Sequence, residues 1–189
     1  MLSLNFSPFP VLETEHLLLR NIQLQDAQEL FLMRTDKKVM EWIDREPFVS
    51  VSEAALFIEK ILDWQNENES ILWVICLKDN PAKLIGTIGF WRIQKEHYRA
   101  EIGYMLQKAY WNRGIMKAAL KVCIQHGFAE LKFHSIEANI NPENKASAAL
   151  LKSCGFVQEA YFRENYYFNG VFKDSAIFSL VDQNTGPRV

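Results

Sequence analysis

Apolar and polar positions follow two different periods along this chain, and the changes of period mark its elements. Residues 71–77 are almost all apolar, as a strand buried on both faces requires. Asp79-Asn80-Pro81 supplies a turn after it. Residues 84–93 and 99–107 read as two further strands joined by the polar loop 94–97, and residues 17–20 as a first strand. Helical spacing appears at Ala55, Phe57, Ile58, Ile61 and Leu62, which predicts a helix over 53–65 with Ser52 ahead of it. A shorter helix is predicted over 25–35, with Asp26 in its first turn. From Gly114 to Glu130 the pattern is again helical. Met116, Leu120, Cys123 and Gly127 form one face, with Ala119 and Ile124 beside them, and Lys117, Lys121 and Gln125 mark the wet side. Residues 135–140 predict a strand, and Asn144 caps a helix that Gly155 stops. Residues 157–168 and 172–181 flank Asn169-Gly170 as a closing hairpin, and residues 183–189 read as a frayed tail.

Composition narrows the class. A chain of 189 residues with 49% hydrophobic content can bury one sizeable core, so residues 1–189 are expected to form a single domain with its core in 14–182. A net charge of −2 argues against a general nucleic-acid binder. The three cysteines are widely spaced in apolar segments, without CxxC or His/Cys spacing, so neither a disulfide framework nor a metal site is expected. No apolar run reaches the roughly 18 residues of a membrane span, and residues 1–10 lack the features of a signal peptide. A cytoplasmic protein without membrane partners is the expectation. The histidines show no HExxH or triad spacing, and no GxxxxGK[ST] or GxGxxG occurs.

The candidate chemistry sits at two helix openings. Trp111-Asn112-Arg113-Gly114-Ile115-Met116 opens one helix, and Asn141-Pro142-Glu143-Asn144 opens the next, with one strand between them. The first N–H groups of a helix lack intrahelical partners and favour anions. Two such openings suit a long ligand with phosphates at one end and amides further along, and coenzyme A is such a ligand.

The run IEANINPENKASAALLKSCGF resembles the GNAT acetyltransferase superfamily, especially its Rim-type group, which acetylates ribosomal-protein N-termini. The strand AEIGYML, the Tyr-Trp before the turn, and the late pair Gly170 and Asp174 extend the resemblance from Leu17 to Leu180. The turn departs from the superfamily's Q/R-x-x-G-x-G/A: Trp111 takes the first place and Met116 the last, with only Gly114 kept. The resemblance implies an α/β (α+β) fold, a mixed, mostly antiparallel sheet of about seven strands with helices on both faces. It also implies that the strand at 99–107 carries a bulge and splays from the strand at 135–140.

The site follows from the same resemblance. Asn112, Arg113, Gly114, Ile115 and Met116 would hold the pyrophosphate of acetyl-CoA. Asn139 and Asn144 would hold the pantetheine arm, with Asn144 also capping its own helix. Ser147 would stand near the sulfur and reprotonate it. A strand N–H, of Met105 or Leu106, would polarise the acetyl carbonyl. Glu101 would accept the amine's proton, with Glu164 as a second candidate, although Tyr166 takes the aligned position. A salt-bridged Glu101, paired with Arg92 or Arg99, is the structural alternative. Trp42, Trp91, Tyr104 and Tyr166 are candidate acceptor-binding residues. An α-amine with a pKa near 7.7–8.0 is easier to keep neutral than a lysine near 10.4, by about 3.5 kcal/mol. The expected activity is acetyl transfer from acetyl-CoA to a primary amine, a protein N-terminus above all. A small amine such as a polyamine or an aminoglycoside, or a non-catalytic acyl-CoA-binding module, are the alternatives. The aromatics of the final hairpin leave a homodimer open.

Overall fold

A computed structural model describes residues 1–183, so the expected tail lies almost wholly outside the described residues. The strands are β1 (Leu12–Glu13), β2 (Leu17–Asn21), β3 (Ile71–Leu77), β4 (Gly86–Gln94), β5 (Arg99–Leu106), β6 (Ser135–Ile140), β7 (Val157–Phe168) and β8 (Val171–Val181). The helices are α1 (Ala27–Thr35), α2 (Lys37–Met40), α3 (Val51–Asn66), α4 (Ile115–Ala129) and α5 (Lys145–Ser153). The eight strands form one sheet in the order β1-β2-β3-β4-β5-β6-β8-β7. That is one more than the expected seven. The pair Leu12–Glu13 is too short to carry a period, yet it pairs with β2 at the sheet edge. Every pairing is antiparallel except β5 with β6.

Each face of the sheet carries its own core. Leu120, Cys123 and Leu151 of α4 and α5, with Leu2 and Phe6, pack on one face against Trp73, Ile88, Phe90 and Ile136. Helices α1 to α3 cover the other face through Leu30, Met33, Ala54, Ile58 and Ile61, against Val74 and Cys76. The alternation of β5 therefore sorts its side chains. Ala100, Ile102, Tyr104 and Leu106 face the α4–α5 side, and Met105 faces α1–α3. Helix α3 starts earlier than its apolar spacing predicts: Ser50, rather than Ser52, accepts from the Glu53 N–H at 3.2 Å. Among the described residues, no helix is long and apolar enough to cross a membrane.

The feature that positions the site is a fork. Strands β5 and β6 pair only at Arg99↔Ser135, Ala100↔Ile136 and Glu101↔Glu137. Beyond Glu101 the two strands part, while β5 stays zipped to β4 as far as Gly86↔Leu106, and β6 stays zipped to β8 as far as Ile140↔Ala176. The bulge expected on β5 lies instead on its neighbour. Register slips between Trp91 and Gln94 of β4, where Arg92 adopts a φ of 46°.

Candidate active site at the sheet fork

The turn ahead of α4 faces outward. Asn112 and Gly114 take positive φ values of 58° and 74°, and residues 111–114 are exposed. The indole N–H of Trp111 donates to the Leu106 carbonyl at 2.8 Å, which ties the turn to the end of β5. The first helical bond runs from the Ala118 N–H to the Gly114 carbonyl at 3.0 Å, and no side chain caps the helix. The N–H groups of Ile115, Met116 and Lys117 are thus without an acceptor among the described residues. The Met116 side chain is buried in the core, so only its backbone faces the turn. Arg113 lies over the Tyr110 ring at 5.6 Å and has no acidic partner among the described residues.

At the opening of α5, the Asn144 Oδ1 accepts from the Ser147 N–H at 3.0 Å. This caps the helix and turns the side-chain NH2 outward, with no acceptor among the described residues. Asn139, on the unpaired length of β6 facing β5, is exposed. Ser147 is buried, and its hydroxyl shares a 2.7 Å hydrogen bond with the Tyr104 hydroxyl. Tyr104, expected among the acceptor-binding residues, thus faces the α5 side of the sheet. Burial raises its pKa to about 12, so the phenol keeps its proton at neutral pH.

Glu101 occupies the last rung before the fork and points to the α1–α3 side. It is 7% exposed and accepts from Arg92 at 3.2 Å. Burial raises its pKa above the ordinary carboxylate value, Arg92 opposes this, and nearby Glu137 adds to it. Arg99 pairs with Glu137 instead. Trp91 is the cross-strand neighbour of Glu101, and its indole N lies over Gly103, 3.5 Å from where a Cβ would stand. Two guanidiniums flank that ring, Arg92 at 4.4 Å and Arg45 at 5.9 Å. The loop after α2 roofs this side: Asp44 accepts from both the Tyr166 hydroxyl and the Lys173 ammonium of the closing hairpin. Burial, then the Asp44 bond, raise the Tyr166 pKa. Trp42, in the same loop, is 37% exposed.

The candidates on β5 separate by ladder parity. The Gln107 N–H donates to the Ile85 carbonyl at 2.8 Å on the β4 side. Alternation then turns the Met105 N–H toward β4 and the N–H groups of Tyr104 and Leu106 into the fork. Glu164 sits elsewhere, in an exposed bulge of the edge strand β7 with a φ of 49°, its N–H donating to Asp174 at 2.8 Å. Sequence reasoning passed over the Tyr104–Ser147 pair, the Trp91–Arg45 contact and the roofing role of Asp44. These residues lie far apart in the chain, and their only signal was the alternation that set Tyr104 on a known face.

The split sheet thus has a turn with N–H groups unpaired among the described residues on one side and a buried carboxylate at the base of the fork. Residues 16–157 match the family described as Acetyltransferase (GNAT) domain. The chain is 34% identical over 173 residues to YoaA of Bacillus subtilis (strain 168), named an uncharacterized N-acetyltransferase, covering 92% of this chain and 97% of that protein. The crystal structure of ribosomal-protein-S5-alanine acetyltransferase from Vibrio fischeri superposes with a TM-score of 0.82 at 26% identity, covering 94% of this chain and all of that one. A spermidine N(1)-acetyltransferase of Vibrio cholerae is 23% identical over 158 residues, covering 84% and 88% of the two chains. The chain belongs to the GNAT acetyltransferase family, and it is an N-acetyltransferase.

Proposed function

We propose that the protein transfers acetyl from acetyl-CoA to the α-amine of a protein N-terminus, at the fork between β5 and β6. The observation that carries this reading is the opposed placement of two proton groups. The Tyr104–Ser147 pair lies on the α5 side of the sheet, and Glu101 lies on the α1–α3 side. The diphosphate rests on the N–H groups of Ile115 and Met116 with Asn112, Arg113 and Gly114 around it. The Asn144 NH2 donates to a pantetheine carbonyl, Asn139 lines its path, and the acetyl group enters the fork beside the Leu106 N–H.

The chemistry then needs no covalent enzyme intermediate. The amine nitrogen attacks the thioester carbon, and the oxygen gathers charge that the Leu106 N–H stabilises. Glu101 takes the amine proton. The carbon–sulfur bond breaks, the thiolate receives a proton from the Ser147 hydroxyl, Ser147 recovers one through Tyr104 from solvent, and Glu101 releases the amine's proton to solvent, so the enzyme ends as it began. A raised carboxylate pKa makes Glu101 a stronger base than an exposed glutamate while leaving it largely ionised above that pKa. Glu164, exposed at the edge strand, is the second candidate base and belongs to a different part of the sheet.

The α-amine is favoured by its lower pKa and by the likeness to an S5-alanine acetyltransferase. The relative named for spermidine supports a polyamine as the second reading. Free-thiol release from acetyl-CoA, measured with N-terminal peptides and with spermidine at equal concentration, separates them. Faster release with peptides is the expected result. Release with spermidine alone would move the acceptor to the small-amine class, and binding of acetyl-CoA without release on any amine would remove the catalytic roles.

A further inference from the structure

Arg34 is buried to 8% exposure at the last turn of α1, yet it has no ion pair and no hydrogen bond among the described residues. Its Nε is fully enclosed without an acceptor. The guanidinium is held instead by two rings, with its carbon 4.5 Å from the centre of Phe48 and 5.3 Å from that of Phe57. Of the three guanidinium nitrogens only Nε is both enclosed and unpartnered, and the aromatic faces offset part of the cost of burying this charge. Glu53 attracts it through space without touching it, and accepts from the Val49 N–H at 2.8 Å. Arg45 adds repulsion.

Arg45 itself is exposed and reaches the Trp91 ring, whose other neighbour is Arg92. Three guanidiniums therefore run from the buried end of α1 to the rung that holds Glu101. Three of the acids nearby are already engaged, Asp44 by Tyr166 and Lys173, Glu41 by Lys38, and Glu101 by Arg92, while Glu46 beside Arg45 stands exposed to solvent. A cavity of about 260 Å³ opens beside Arg45, lined by the cations Lys37, Arg45 and Lys173 and by the acids Glu41 and Asp44.

We infer that Arg34 and Arg45 form an anion subsite of the acceptor cleft, and that the acceptor is an acidic N-terminal segment. Its α-amine reaches Glu101 while a carboxylate one to three residues later meets the two arginines. Arg45 lies 5.9 Å from the ring of Trp91, the cross-strand neighbour of Glu101, and an extended peptide rises about 3.3 Å per residue, so the carboxylate belongs a few residues after the amine. The inference rests on the transferase reading above and adds the substrate's charge to it. A polycation would meet the same arginines with repulsion.

The test compares kcat/KM for two peptides that differ only by Glu or Gln after the first residue, with spermidine as a third acceptor and acetyl-CoA saturating. The expected result is a preference of at least roughly tenfold for the Glu peptide, carried by KM, with spermidine slowest. In Arg34→Gln and in Arg45→Gln the ratio between the peptides falls toward one, and in Arg34→Lys part of it returns. Arg45 is at the surface, so its variant reads the subsite even where Arg34→Gln fails to fold. Equal rates for the two peptides, a ratio unchanged in Arg45→Gln, or a preference for spermidine each overturn the subsite while leaving acetyl transfer standing. Absence of thiol release with every acceptor overturns the transferase reading beneath it.

Discussion

Glu101 joins burial to chemistry in one side chain. A general base works only when ionised, and burial lifts this carboxyl's pKa toward neutrality. Wild-type kcat/KM therefore falls as pH drops through that raised value, on top of the loss caused by protonating the amine. Glu101→Gln is expected to lower turnover by about 100-fold and to erase the carboxylate's share of the acidic limb. A pH–rate profile checks this, and an unaltered limb would pass the role to Glu164 or to water. Asn144 allows an equally sharp separation of two roles. Aspartate keeps the acceptor that caps α5 but lacks the NH2, so Asn144→Asp should hold its melting temperature while the KM for acetyl-CoA rises several-fold. Asn144→Ala, which removes both, should also lose about 1 kcal/mol of stability. A variant pair with identical KM values would confine Asn144 to capping.

Elements differ in how plainly the sequence announced them. The strands Ile71–Leu77 and Ser135–Ile140 fall on their predicted bounds because a dense apolar run and a short apolar–polar alternation between polar loops both have clear ends. Helix α5 was equally plain, because Asn144 and Gly155 punctuate both sides of a short amphipathic stretch. The misses share a physical origin in tertiary contact. The four-residue α2 has no room for a period, and Ser52, a good N-cap residue two places on, masked Ser50 as the cap of α3. The bulge moved to β4 because one strand's slippage is set by its partner, which no single run of residues reveals. The turn before α4 was legible through Gly114 alone. A Cβ there meets nothing within 4 Å, so the strain of Gly114→Val comes from its φ of 74° and not from crowding. That variant should raise the KM for acetyl-CoA at least tenfold with little change in kcat. Gly114→Asn, which tolerates such a φ, should recover much of the loss. Steady-state kinetics with varied acetyl-CoA decides, and equal KM values in all three proteins would detach this turn from the cofactor.

At the scale of the molecule, the sheet is two half-sheets hinged on three rungs, with one helical layer on each face. The site was half legible for that reason. Residues near helix openings, such as Gly114, Asn144 and Ser147, announce themselves locally, whereas Arg34, Arg45 and Trp91 meet only once the whole sheet is assembled. The fork also has a consequence in the free protein's solvent chemistry. Main-chain amides that a neighbouring strand would normally shield stand open at Tyr104 and Leu106, and should trade their protons for deuterium quickly. Their counterparts at Met105 and Ile88, locked in the ladder, should trade slowly. Coenzyme binding should slow the first pair and leave the second as it was, so residue-resolved exchange would report occupancy of the cleft before any acceptor is identified.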